Sequence, residues 1–143
     1  MSSLPFPAIR ICIDPVPCPR PRVGRFGAYY PAKYSNWRKK FQLELGRVVG
    51  KGFEPSDDFL YVDLRFTCKK PKSTKLACPK PDIDNYAKSV LDACNGVLWF
   101  DDSQIVCLYA TKLWTPTPKC DPEILIVGSS VTPHARRAVR KTT

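Results

Sequence analysis

The sequence predicts a single α+β domain in which two main helices pack on a mixed β-sheet, in the order β-α-β-α-β-β. Alternating apolar residues mark several strands, and two longer segments carry apolar residues at helical spacing. The length of 143 residues suits one domain, and 43% hydrophobic residues can form its core. We expect one domain over residues 1–143, with a core at about 9–127 and a basic tail at about 130–143.

The first half of the chain is predicted to contain a strand, a long loop and a helix. Alternating isoleucines indicate a strand over Ile9–Asp14. Residues 14–34 are rich in proline, so we expect a loop without regular structure. Ser35 is a candidate N-cap for a helix that ends near Val49. The buried stripe expected on this helix comprises Trp37, Phe41, Leu45 and Val48.

The second half is predicted to contain three strands and one helix. The strands are expected at Phe59–Cys68, Ile105–Trp114 and Ile124–Val127, and the helix at Ile83–Asn95 with Gly96 as its stop. The buried stripe of that helix is expected to comprise Ile83, Ala87, Val90, Leu91 and Cys94. A basic loop with five lysines joins the first of these strands to the helix.

The overall charge favours an anionic partner. The formal net charge is +10 and the pI is about 9.4, which is typical of proteins that bind nucleic acid. No stretch approaches the roughly 20 apolar residues that a membrane span requires. The N-terminus lacks the pattern of a secretory signal, so we expect a cytoplasmic protein that does not enter a membrane.

Cysteine usage points to a reducing compartment. The seven cysteines are odd in number and form no CxxC pair, and the chain has one histidine, His134. A zinc site normally contains at least one such close pair. We therefore expect free thiols, most of them buried.

Aspartates are concentrated in one segment of this basic chain. Five of the 13 acidic residues lie in it: Asp82, Asp84, Asp92, Asp101 and Asp102. The rest of the chain has 22 Lys and Arg against 8 Asp and Glu. Clustered carboxylates repel one another unless a cation or a proton lies between them. Mg²⁺ prefers oxygen ligands of this kind. The segment therefore indicates a metal site that meets a polyanion.

Spacing divides these aspartates into groups. Asp82 and Asp84 flank Ile83 where the lysine loop meets the helix, so two carboxylates can point the same way. Lys88, one turn after Asp84, can reach the same site. Asp92, a further turn along, is expected to support the site or to pair with Lys88.

Asp101 and Asp102 lie in a turn that enters a strand. Adjacent residues on extended backbone point in opposite directions, so only one of them is expected to join the site. Spacing does not decide which one. The alternative to a metal site is that Asp82 and Asp84 cap a helix while the other pair forms a turn.

The segment PDIDNYAKSVLDACNGVLWFDDSQIV closely resembles the signature of the RusA family of Holliday junction resolvases. The matching positions are Asp82, Ile83, Asp84, Asn85, Lys88, Asp92, Ala93, Trp99, Asp101, Asp102, Gln104 and Ile105. The segment PRPR and the residues Tyr30, Lys33, Tyr34 and Trp37 also resemble this family. The resemblance covers roughly residues 9–127.

This resemblance implies a homodimeric, Mg²⁺-dependent endonuclease, often encoded by a phage or prophage, that resolves four-way DNA junctions by paired symmetrical nicks. Carried across by the motif, Asp82, Asp84 and Asp102 are the metal-binding carboxylates and Lys88 is the catalytic lysine. Asp92, Asp101 and Asn85 surround them. Mn²⁺ is expected to substitute for Mg²⁺, and no organic cofactor is expected.

Basic and aromatic residues are expected to hold the DNA. The cations that can neutralise phosphates are Arg20, Arg22, Arg25, Lys33, Lys69, Lys70, Lys72 and Lys75. Phe26, Tyr29, Tyr30 and Tyr34 either stack on unpaired bases or simply pack their loop. Trp37 and Phe41 are expected in the core. In the tail, Arg136, Arg137 and Arg140 add nonspecific affinity or have no role.

Two other functions fit the same residues. One is a different metal-dependent nuclease that acts on flaps or other branched DNA. The other is a basic DNA-binding module without catalytic activity, in which the aspartates are structural. A comparison of cleavage of junctions, flaps and duplexes tests the first alternative. Asp84→Asn tests the second, because Mg²⁺-dependent nicking that survives this change would show that the aspartates are not catalytic.

Overall fold

The chain folds as a four-stranded mixed sheet with two helices on one face and a small separate hairpin. The structure is a computed structural model, and it describes residues 5–131. The strands are β1 (Ile9–Ile11), β2 (Arg22–Gly24), β3 (Gly27–Tyr29), β4 (Leu60–Cys68), β5 (Ile105–Trp114) and β6 (Glu123–Ser130), and the helices are α1 (Ala32–Val49) and α2 (Ile83–Cys94). The predicted α+β class and the order of the main elements are confirmed.

The sheet has the strand order β1-β6-β4-β5. Strand β6 is antiparallel to both β1 and β4, whereas β4 and β5 are parallel neighbours. Leu64 at the centre of β4 is opposite Ile126 on one side and Ala110 on the other. Parallel neighbours require a crossover connection, and α2 provides it, so α2 runs antiparallel to β4 and β5.

One face of the sheet carries the core. Alternate residues of β4 are buried against both helices, whereas Tyr61, Asp63 and Thr67 on the opposite face are only half-buried. The period-2 pattern of this strand therefore marks a sheet covered by helices on one side.

Helix α1 begins earlier than predicted. Its first residue is Ala32, preceded by Pro31, so Ser35 lies inside the helix and is not its N-cap. Proline suits this position because the first helical amides have no partner inside the helix. The buried stripe includes Tyr34 in addition to three of the predicted residues, while Val48 is exposed at the helix end. The prediction that Trp37 and Phe41 lie in the core is confirmed.

The proline-rich segment contains regular structure that the sequence did not indicate. Strands β2 and β3 pair as a short hairpin whose turn is formed by Arg25 and Phe26. Gly27 follows the turn at φ 111, a conformation that favours glycine. The prolines lie outside the two strands, and this is why they do not prevent the pairing.

The remaining elements lie close to their predicted positions. Strand β1 is shorter than the predicted Ile9–Asp14, and β6 is longer than the predicted Ile124–Val127. Helix α2 ends at Cys94, and Gly96 follows at φ 81 as the predicted stop. Its inner face is wider than the predicted stripe, and the buried residues are Tyr86, Ala87, Ser89, Val90, Ala93 and Cys94.

All seven cysteines are free thiols, but fewer are buried than predicted. Cys18, Cys68 and Cys94 are buried, and the other four are exposed or half-exposed. Burial raises the pKa of the Cys68 thiol to about 11 and also raises that of Cys94. In the described part of the chain, no helix is long and apolar enough to cross a membrane. The predicted basic tail and His134 lie outside the described residues.

We predict that substitutions at Gly128 and Phe6 have strongly non-additive effects on the free energy of unfolding. A Cβ at position 128 would lie 2.3 Å from Cζ of Phe6, which is buried at 3% exposure and packs near Trp99. Gly128→Ala should therefore lower the free energy of unfolding by about 1–3 kcal/mol. In a double-mutant cycle measured by urea denaturation, Phe6→Leu should remove much of this loss; simple additivity of the two changes would contradict the contact.

Candidate active site

The N-terminus of α2 holds the first two predicted carboxylates. Asp82 is the residue just before the helix, Asp84 lies in its first turn, and both are exposed. The Oδ1 atom of Asp84 accepts a hydrogen bond from the Asn85 backbone amide at 3.0 Å. The Asn85 carbonyl in turn accepts one from the Cys18 backbone amide at 2.9 Å. The positive end of the helix dipole stabilises negative charge here.

Side chains from strand β5 and from α2 itself fix the loop that leads into α2. Lys112 on β5 donates from Nζ to the Pro81 carbonyl, and Trp114 donates from Nε1 to the Leu76 carbonyl at 3.0 Å. Tyr86 donates its hydroxyl to the Lys80 carbonyl, and the Lys80–Pro81 peptide is cis. These contacts place Asp82 at the carboxyl end of β5, beside an open cavity of about 530 Å³.

A second cavity of about 510 Å³ lies on the other side of Lys80. Its lining includes Asp14, Lys33, Lys40 and Tyr86. Asp14 accepts a hydrogen bond from the Lys69 amide at 3.0 Å and is therefore held at the same end of the sheet as Asp82. Sequence analysis did not select Asp14 or Lys40. The only available signal for Asp14 was its position at the end of the first predicted strand.

Lys88 is paired with Asp92. Its Nζ lies 3.2 Å from Oδ2 of Asp92, as the i, i+4 spacing predicted. The hydrogen bond and the charge of Asp92 raise the pKa of Lys88, so this lysine stays protonated. Lys88 lies one turn after Asp84 on an exposed part of α2, and its ammonium group contacts Asp92 in the following turn.

Asp101 and Asp102 differ clearly in their local roles. Asp101 caps a short 3-10 turn, accepting from the Ser103 amide, while Gln104 accepts from the Asp101 amide in return. The hydrogen bonds from Ser103 lower the pKa of Asp101. Asp102 is half-exposed and has no such capping role, so its carboxylate remains available to a ligand.

Asp102 does not lie near Asp82 and Asp84 in one chain. Gln104 donates from Nε2 to the Ser56 and Asp58 carbonyls at 2.8 and 2.9 Å, which fixes this turn beside the start of β4. The 12 residues of α2 separate the two ends by about 18 Å at the helical rise per residue. Within residues 5–131, no three acidic, histidine or cysteine side chains gather as a metal site.

The three carboxylates are nevertheless chemically suited to a hard divalent ion. Within the described part of the chain, none of Asp82, Asp84 and Asp102 forms an ion pair with Lys or Arg. Mg²⁺ binds such oxygens and often retains several waters, so two carboxylates at one helix terminus fit part of its coordination shell. Within one chain, Asp82 and Asp84 therefore lie at one end of α2 and Asp102 lies beyond the other end.

The predicted DNA-binding cations line the same end of the sheet and the hairpin. Lys72 and Lys75 are exposed in the loop before α2, and Lys33 is exposed in the first turn of α1. Lys69 and Lys70 are half-exposed, and Nζ of Lys69 donates to the Cys120 carbonyl at 2.6 Å. Arg20, Arg22 and Arg25 are exposed on or beside the hairpin.

The four aromatic residues of the first loop separate into two environments. Phe26 at the hairpin tip is 98% exposed, and Tyr29 is also exposed. The guanidinium of Arg25 lies 6.0 Å from the Phe26 ring centroid. Tyr34 is buried and packs against Trp37, with Tyr30 half-buried at its edge. Stacking on a base is therefore open to Phe26 and Tyr29, whereas Tyr34 belongs to the core.

The sequence is similar to that of a Bacillus protein and matches one protein family. The sequence is 45% identical over 64 residues to the uncharacterized protein YqaN of Bacillus subtilis (strain 168), a match that covers 43% of this chain and 45% of that protein. The chain thus spans less than half of the length of this relative. The family model described as endodeoxyribonuclease RusA matches residues 13–124, which include α2 and all three carboxylates. The chain belongs to the RusA endodeoxyribonuclease family.

Proposed function

We propose that this protein is a Mg²⁺-dependent endodeoxyribonuclease that resolves four-way DNA junctions by paired, symmetrical nicks. The observation that carries the proposal is the exposed carboxylate pair Asp82 and Asp84 at the N-terminus of α2, in a chain of the RusA family. Neither carboxylate has a protein cation as partner among the described residues. Such a pair is suited to a metal beside a phosphate.

In this proposal, Asp82 and Asp84 of one chain hold the metal together with the Asp102 of the second chain in the homodimer, because α2 keeps the three apart within one chain. Lys88 acts on the phosphate. A divalent ion held there, Mg²⁺ or in its place Mn²⁺, would supply activation of a water and neutralisation of charge on the 3′ oxygen. The protonated Lys88 neutralises charge on the phosphate oxygens, and Asp92 keeps its ammonium group in position. Asn85 and Asp101 hold the two backbone segments that carry the ligands.

The lysine loop and the hairpin bind the DNA around the branch point. Phosphate contacts from the exposed lysines give affinity without reading the base sequence. We expect Phe26 to stack on an unpaired base at an open junction; its nearly complete exposure at the hairpin tip supports this role. A homodimer with two-fold symmetry presents two sites to the two equivalent strands of a junction.

Asp84→Asn should abolish Mg²⁺-dependent nicking of a synthetic four-way junction. Loss of a metal ligand removes several kcal/mol of transition-state stabilisation, so we expect a decrease of about 10³-fold or more. Junction binding should persist, because the change removes a negative charge near the phosphates. Glu44→Gln, which removes a half-exposed acid on α1 that pairs with Arg47, is the matched control and should nick normally.

The same assay separates the alternative functions. Gel mapping of junction, flap and duplex substrates should give paired symmetrical nicks only in the junction. Preferential cutting of flaps would assign a different branched-DNA nuclease. Absence of cleavage by the wild-type protein with Mg²⁺ or Mn²⁺ would assign a binding module instead.

The double variant Lys72→Ala, Lys75→Ala should bind junctions more weakly and with a smaller dependence on salt. The logarithm of the binding constant falls linearly with the logarithm of the salt concentration. Each lost phosphate contact makes this slope less steep by about 0.9, so the loss of two should reduce its magnitude by roughly 2. Fluorescence anisotropy at several salt concentrations measures this slope. The control is Lys39→Ala, Lys51→Ala, which removes the same charge from exposed positions on and after α1 and should leave the slope nearly unchanged.

Phe26→Ala should reduce affinity for junctions more than affinity for duplex DNA. Stacking of one base on an aromatic ring contributes about 1–3 kcal/mol, which corresponds to roughly 5- to 150-fold in Kd. Val23→Ala is the control, because Val23 is 88% exposed on the same hairpin but has no ring. Equal losses for both variants, or for both substrates, would show that Phe26 does not stack at the branch point.

A further inference from the structure

The cavity of about 510 Å³ between α1 and the loop before α2 gathers three lysines. Lys33, Lys40 and Lys80 lie in its wall, and all three are exposed. Among the described residues, none of them forms an ion pair. Like charges around one space repel one another unless a counter-charge lies between them. This lysine cavity therefore favours an anionic ligand.

Two separate elements bring the lysines together. Lys33 and Lys40 are seven residues apart on α1, which is about two turns, so they share one face of that helix. Lys80 comes from the loop before α2. Between the two helical lysines, Trp37 donates from Nε1 to the Asp14 carbonyl at 2.9 Å and joins α1 to the segment after β1. The fold thus fixes the backbone that carries these lysines and leaves their ammonium groups open to a ligand.

Asp14 is the only acid among the described residues of this wall, and it does not neutralise the lysines. Its Oδ1 atom accepts a hydrogen bond from the Lys69 backbone amide at 3.0 Å, and no lysine or arginine pairs with it in the described part of the chain. Three cations against one carboxylate leave an excess of positive charge. Lysine binds phosphate oxygens as a point charge, so a phosphate group suits the cavity.

A smaller cavity of about 240 Å³ continues from the lysine cavity over the start of α1. The two cavities share Val16, Pro17 and Lys33, so they form one groove. Apart from Lys33, the described lining of the smaller cavity is mostly apolar: Val16, Pro17, Pro19, Pro31 and Tyr34. A groove that is cationic at one end and apolar at the other matches a nucleotide, which has a charged phosphate and a flat base.

The groove adjoins the candidate metal site. Lys80 lines both the lysine cavity and the cavity beside Asp82. Phosphates of one DNA strand follow one another at about 3.4 Å along the helix axis. A strand whose scissile phosphate lies beside Asp82 therefore brings a neighbouring phosphate within reach of Lys80.

We propose that this groove binds one nucleotide of the cut strand, next to the scissile phosphate. Lys33, Lys40 and Lys80 hold the phosphate of that nucleotide, and its base lies against the proline-lined end. The proposal rests on the proposed function for the position of the cut. In this role the groove sets the register of the strand, because it determines which phosphate enters the metal site.

Neutralising single phosphates in a four-way junction tests the lysine end of the groove. Each phosphate near the branch point is replaced in turn by an uncharged methylphosphonate, and affinity is measured by fluorescence anisotropy in EDTA. For wild type, we expect a loss of roughly 3- to 10-fold at one phosphate beside the nicked one. Lys40→Gln should bind the unmodified junction more weakly by a similar factor and should lose nothing further at that position.

Lys39→Gln is the matched control for this measurement. Lys39 precedes Lys40 on α1 and is exposed, but it does not line the groove. This variant should remain as sensitive to the methylphosphonate as wild type. Unchanged affinity of Lys40→Gln, additive losses at every phosphate, or the same coupling for Lys39→Gln would each overturn the phosphate site.

Removal of one base tests the apolar end of the groove. An abasic site at the nucleotide identified through Lys40 should weaken binding by roughly fivefold, because the base no longer buries apolar surface there. An abasic site two nucleotides further from the branch point is the control and should have little effect. Both substrates are measured with Phe26→Ala, so that stacking at the hairpin tip does not contribute. Equal affinity for the two substrates would overturn the binding of a nucleotide and leave only a phosphate contact.

These measurements of binding separate the groove from the proposed function. Nicking of the same junction with Mg²⁺ gives the position of the cut. If wild type binds the junction but cuts no strand, the proposed function fails, while the coupling of Lys40 to one phosphate still decides whether the groove binds DNA. A coupled phosphate more than about two nucleotides from the cut would overturn its place beside the scissile phosphate. Wild-type protein that does not bind the junction would overturn the groove.

Discussion

The parallel pairing of β4 with β5 determines the geometry of the candidate site. Because parallel neighbours cannot be joined by a tight turn, the chain must cross back over the sheet, and α2 makes that crossing. The N-terminus of α2 then lies at the carboxyl ends of the two strands, with Asp82 and Asp84. The turn after α2, with Asp102, lies at their amino ends. Binding residues in α/β sheets commonly lie at the carboxyl ends of parallel strands.

Backbone carbonyl groups hold both ends of this crossover in place. Lys112, Trp114 and Tyr86 bind carbonyls of the loop before α2, and Gln104 binds carbonyls of the segment before β4. The acidic side chains themselves take little part in these contacts. The residues that fix the backbone are thus different from Asp82, Asp84 and Asp102, none of which pairs with a Lys or Arg among the described residues.

Local patterns in the sequence were sufficient to predict much of the fold, but they did not predict how far apart the carboxylates lie. Strand β4 and the start of α2 lie close to their predicted positions because period-2 and period-3.6 patterns are local signals. The hairpin was missed because its strands have three residues each, with no apolar alternation to detect. The distance of Asp102 from Asp84 follows from the crossover, which is a tertiary feature. The motif carries all three aspartates within 21 residues without revealing that α2 separates them.

The separation of the carboxylates has a physical consequence for activity. Three carboxylates brought together without a metal would repel one another and destabilise a single folded chain. Held at the two ends of α2, they impose no such cost on folding. If the partner chain of the proposed homodimer completes each site, the cost arises only on association, where the burial of apolar surface can offset it. Metal binding would then favour the dimer, because an ion that binds only the associated state shifts the equilibrium toward it. A single chain would lack a complete site, which would limit cutting to the two-fold assembly that matches the symmetry of a four-way junction.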